Sequence, residues 1–236
     1  MPTKSQTLPY QPFLLRLLHG VTVVVTIGAL VTAYWTYDTF DRRWGYFLPK
    51  FNDIEGIHGT FGVFSLLALP LLLIYACHRG ARRLIQPDTI AQLQHLDRPI
   101  GRYSLHRLIN TLSLLALTFA VFSGKMMDET WLPKGELTHW WYYAHLVSWV
   151  ILILCMALHS LMAARVGGLA LLQSIWQWQY RPVDHPQRWV AQIRHWWQGF
   201  VTLQLEWQTL PGSLQILEGS ILISLVAAWL IPALKP

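Results

Sequence analysis

The sequence predicts an all-α membrane protein: a four-helix transmembrane bundle, an interfacial Trp-rich segment and a fifth transmembrane helix. Three observations predict it. Of 236 residues, 53% are hydrophobic and only 13% charged, more apolar material than one soluble core needs. The apolar residues gather in five runs, each near the ~20 residues that span hydrocarbon as helix. Six of the 13 tryptophans fall in one polar connector between the last two runs, and indole rings favour the bilayer boundary.

The runs are Leu14 to Tyr37, Ile54 to Cys77, Leu105 to Ser123, Tyr142 to Ala164 and Leu214 to Leu234. The first is longer than the ~7 to 15 apolar residues of a secretory signal, and no A-x-A site follows, so it is expected to be retained. Arg79, Arg82, Arg83, Arg98 and Arg102 lie between the second and third runs. Arg165, Arg181, Arg188 and Arg194 follow the fourth. The other loops mix Arg42, Arg43, Lys50, Lys125 and Lys134 with Asp38, Asp41, Asp53, Asp128, Glu129 and Glu136. The positive-inside rule then places the N-terminus in the cytoplasm and the C-terminus outside. On this reading the charge of +6 expresses topology, and nucleic acid is not an expected partner.

The connector contains Trp176, Trp178, Trp189, Trp196, Trp197 and Trp207, with Pro182 and Pro186; helices in the headgroup region are expected, with a partner-docking surface as the competing reading. The expected division is 1–165 for the four-helix unit, 166–212 for the connector and 213–236 for the fifth helix. Two cysteines, Cys77 and Cys155, exclude a disulfide framework, a thiolate zinc site and C-x-x-C-H haem attachment.

Chemistry concentrates in the fourth run, "YYAHLVSWVILILCMALHSLMAAR", which carries His145 and His159. Fourteen positions separate them by ~21 Å along a helix and only ~40° around it. Polar rings in hydrocarbon are costly, and two aligned at different depths suggest two stacked cofactors. A haem iron with two axial imidazoles needs one more histidine per level. The second run begins outside with His58, matching His145; the first begins inside with His19, matching His159. Gly20, Gly59 and Gly62 adjoin these positions, where a macrocycle could lie close to the backbone.

The stretches "LLRLLHG", "IHGTFG" and "AHLVSWVILILCMALHSLMA" resemble the bacterial cytochrome b561 and nickel-hydrogenase cytochrome b superfamily, which includes formate dehydrogenase membrane subunits. The resemblance covers about residues 10 to 165. It implies a four-helix bundle with two non-covalent b-type haems, ligated by His19, His58, His145 and His159. The expected function is electron transfer across the membrane between a quinone pool and a redox partner subunit, with lipid around the chain. A homo-oligomer is compatible with the sequence. The alternatives are a stand-alone oxidoreductase acting on a small molecule such as superoxide at a haem edge, and a haem-free scaffold.

His106 could replace His19 as a ligand, or donate to a haem propionate or quinone. Arg16, Arg102, Arg107 and Arg165 stand where propionates would emerge, and each equally satisfies the positive-inside rule. His78, His95 and His139 read as solvated, and His185 and His195 as interfacial.

Overall fold

The computed structural model describes residues 9–43, 45–127, 137–201 and 209–234, and among these it holds helices and no strand. Lys134, Asp128, Glu129, Glu136 and Trp207 lie outside the described residues, as do the side chains of His195 and Trp196. Among the described residues five helices are long and apolar enough to cross a membrane, and each overlaps one of the five runs.

Helix α1 (Phe13–Phe40) begins directly after Pro12 and ends where Arg42 takes φ 58. Buried Asp38 accepts the backbone N–H groups of Phe47 and Leu48 at 2.8 and 3.0 Å, closing the following loop onto the helix end. Helix α2 (Ile54–His78) carries Pro70 inside it; a proline there leaves one backbone carbonyl without its helical donor. A one-turn helix, α3 (Thr89–Gln92), crosses to α4 (Pro99–Lys125), which starts earlier than its apolar run because Pro99 supplies a preset first-turn φ.

Helix α5 (Trp140–Ser174) is capped by His139, whose Nδ1 accepts Trp141 N–H at 3.2 Å, so that histidine has a structural role beyond solvation. The helix continues past Ala164, and Gly168 at φ 67, ψ −174 breaks it, a conformation essentially reserved for glycine. The expected boundary at 165 therefore falls within α5. Helix α6 (Trp189–Val201) and α7 (Gly212–Ala233) are the last two described helices.

Helix α1 packs on α2 and α4 on α5, with α2 against α4 and α1 against α5 closing a four-helix ring. Helix α7 seats against α2 and α4, sharing an apolar core in which Leu69, Leu73, Leu117, Leu214 and Ile221 are buried together. Outward faces carry exposed Val24, Val31, Leu71, Leu154 and Ile223, as helices facing lipid do.

The connector is more than a surface element. Its first part folds back on the start of α1: Phe13 meets the rings of Trp178, Tyr180 and Trp189 at 6.4, 5.4 and 5.3 Å. Arg16, 4% exposed, donates to the Gln177 and Gln179 carbonyls, the latter at 2.7 Å. Tyr10 donates to Asp184, and Arg181 stacks 4.2 Å over the Tyr10 ring. Partial burial pushes the Tyr10 phenol above its usual range, which keeps it the donor in that bond.

Candidate functional site

Each histidine reaches the bundle interior from a helix whose apolar composition holds it in the membrane. The structure brings His58 and His145 together, ring centres 5.9 Å apart and planes inclined by 53°. It also brings His19 and His159 together, at 6.0 Å and 31°. The first pair bridges α2 and α5 across the ring, and the second joins α1 to α5 near the arginine-rich end. His106 of α4 stands equally near His159, at 6.0 Å and 45°. Between the two levels, Trp149 donates to the Leu30 carbonyl at 3.1 Å and stacks on Tyr34, fixing α5 against α1.

The hydrogen bonds made by each ring decide which nitrogen is left to bind. His58 Nδ1 lies 3.1 Å from the Ala29 carbonyl and 3.3 Å from Thr32 Oγ1. A carbonyl only accepts, so Nδ1 carries the proton. Ser123 donates its hydroxyl hydrogen to the Phe119 carbonyl at 2.7 Å, and His145 Nδ1 lies 3.0 Å from the same oxygen, which is left to accept. His159 Nδ1 meets Asn110 Oδ1 at 2.9 Å, while Asn110 Nδ2 donates to the Arg83 carbonyl at 2.9 Å. In these three rings Nε2 is then the free lone pair. His19 Nδ1 is buried without a hydrogen-bond partner among the described residues.

This set fits a bis-imidazole iron. Metal–imidazole bonds of ~2.0–2.1 Å on both sides place ring centres about 6 Å apart. A second hydrogen bond at Nδ1 is what fixes tautomer and ring orientation at a metal-bound histidine. Among the described residues no three His, Cys, Asp or Glu side chains converge on one point.

Gly20, Gly59 and Gly62 have open space where a Cβ would stand, whereas Gly124 is pressed against His145: a Cβ there would come within 2.9 Å of Cε1. Of the arginines, Arg16 is engaged by connector carbonyls. Arg107 donates to the Arg82 carbonyl at 2.9 Å and faces Asp88 at 3.6 Å. Arg165 is exposed, and Arg102 keeps a buried Nε without a partner among the described residues. His95 is exposed, and His185 packs on Tyr180 at 5.2 Å.

Asn110, Ser123 and Thr32 escaped the sequence reading. Their signal was present, because a polar side chain in a spanning run usually serves a buried partner; which partner depends on packing. His78, read as solvated, instead meets Glu218 of α7, Nε2 to Oε1, at 3.0 Å.

The family model for prokaryotic cytochrome b561 matches residues 10–178. No curated protein and no solved structure matches the chain. The matched region contains both histidine levels, Asn110 and Ser123, and ends inside the segment that folds back on Arg16. With four ring-forming helices and paired histidines inside them, the chain belongs to the prokaryotic cytochrome b561 family, whose members are integral membrane proteins that bind b-type haem and transfer electrons.

Proposed function

We propose that this cytochrome holds two b-type haems, one per histidine level, and carries electrons across the membrane between a quinone pool and a redox partner subunit. The carrying observation is the repeat of one geometry at two depths: ring centres 5.9 and 6.0 Å apart, with Nδ1 engaged in three of the four rings. His58 and His145 would hold the outer haem, His19 and His159 the inner one. Haem supplies a one-electron centre whose potential follows its axial ligands, hydrogen bonding and burial. The chain's contribution is to orient the imidazoles through Ala29, Ser123 and Asn110, to exclude water with Leu and Val faces, and to hold the levels apart with α5. His106 stands where it could donate to a propionate or to a quinone headgroup.

On the proposed orientation the arginine-rich end faces the cytoplasm. A reporter fused near Pro182 is expected in the cytoplasm and one fused after Pro236 outside; a cytoplasmic C-terminal reporter would mean that α7 does not cross. The function itself is tested by a reduced-minus-oxidised spectrum of the purified chain with haem quantified. Two b-type haems per chain are expected. One haem would refute the two-level assignment, and none would leave a scaffold. Co-purification with a redox subunit separates a coupled cytochrome from a stand-alone oxidoreductase.

A further inference from the structure

Glu218 sits inside a membrane-spanning helix, six positions after Gly212, and is 4% exposed. Its Oε1 meets His78 Nε2 at 3.0 Å, and its Oε2 is buried without a hydrogen-bond partner among the described residues. An acid in hydrocarbon is expensive and marks function by default. As a clasp between α2 and α7 it would be poorly chosen, since an amide could make the same hydrogen bond without a charge to desolvate.

Its depth can be counted. Helices α4 and α7 run in the same direction, and Lys125 Nζ lies 5.3 Å over the Trp229 ring. Eleven positions back along each helix stand Leu114 and Glu218, which are therefore at one level. Leu114 is about one turn, ~6 Å, from Asn110, the residue holding His159. The carboxyl thus lies near the depth of the inner histidine pair. His78 ends α2 beside Arg79, half-buried, between the carboxyl and the arginine-rich face.

We propose that Glu218 and His78 form a redox-linked proton-binding site serving the inner centre, an inference that rests on the inner haem proposed at His159. When that centre gains an electron, the pair gains a proton from water at the cytoplasmic face. The proton passes by His78 and forms an O–H bond at the unpartnered Oε2; it leaves when the electron leaves. The O–H bond that breaks is that of the hydrated proton donor at the cytoplasmic face, and the electron comes from the redox partner or quinone. The physical basis is that charges buried in a poorly screening interior are felt strongly by one another, so adding a negative charge favours protonation nearby. Among the described residues, the titratable side chains flanking His78 at the end of α2 are Cys77, buried, and Arg79. Helix α7 contributes Glu218, and α4 contributes the apolar Leu114 and Leu117 of the shared core.

The test is a potentiometric titration of the purified full chain at several pH values, following each haem by its spectrum. In the parent, the inner midpoint potential is expected to fall as pH rises. In Glu218→Gln, with haem content unchanged, that slope should drop by at least half, and the outer centre should keep its own. Equal inner slopes in parent and Glu218→Gln would overturn the proposal. Should the glutamine variant fail to assemble, reduced-minus-oxidised infrared spectra of the parent in H2O and D2O carry the test. A protonated-carboxyl band is expected on reduction, sensitive to D2O and displaced in Glu218→Asp, whereas haem propionates would not move in that variant. A spectrum without such a band overturns the proposal. Absence of haem from the parent would overturn both readings, whereas haem with a pH-independent inner potential overturns this one alone.

Discussion

His159→Ala is expected to remove or misligate the inner haem and leave the outer one spectrally intact, while His145→Ala does the reverse. Each variant should retain one b-type centre, because an iron deprived of one imidazole keeps at most one protein ligand, whereas the other level, ~21 Å away along α5, keeps two. Electron transfer across the membrane should stop in both, since a single centre cannot bridge the bilayer. His58→Ala should reproduce the His145→Ala spectrum, and His19→Ala the His159→Ala spectrum. His106→Ala is the discriminating control, because His106 and His19 both stand 6.0 Å from His159. If His106→Ala reproduces His159→Ala while His19→Ala leaves both centres unchanged, the inner pair is His106 with His159.

Gly124→Val is expected to abolish the outer centre without replacing any ligand. A Cβ at Gly124 would lie 2.9 Å from His145 Cε1 and 3.4 Å from Nδ1, closer than a packed methyl group tolerates. The His145 ring must then swing away, which breaks its 3.0 Å contact with Ser123 Oγ and displaces Nε2 from the partner ring. Disturbing the outer-shell support of a metal ligand typically costs ~10–100-fold in affinity, and moving the ring itself costs more. The inner haem spectrum should be unchanged. Gly124→Ala should show a milder loss of outer haem. An intact outer spectrum in a stably inserted Gly124→Val protein would mean that the ring has room to yield.

Much of this architecture could be read along the chain. The five spans follow from local apolar composition, and their ends were displaced where local chemistry extends a helix: Pro99 starts α4 early, and α5 runs to Ser174 through the break at Gly168. The two histidine depths follow from the 3.6-residue period alone, because fourteen residues return nearly to the same face of α5. The ring pairs His58–His145 and His19–His159 join levels that helix direction had already matched.

Other features could not be read this way. Asn110 is 49 residues from His159, Glu218 is 140 from His78, and Arg16 is 161 from Gln177; no period or local propensity relates positions so far apart. The connector illustrates the limit, since its tryptophans announce a boundary, yet the packing of Trp178 and Trp189 on Phe13 depends on where α5 bends and α1 begins. By itself, the sequence determined how many helices are long and apolar enough to span, where charge accumulates and how far apart along α5 its two imidazoles stand, because helix period and hydrocarbon thickness are fixed lengths. Only the tertiary structure decided which nitrogen is engaged in three of the four rings, that α7 shares the core, and that a buried carboxyl faces His78, because these depend on how helices rotate and seat against one another.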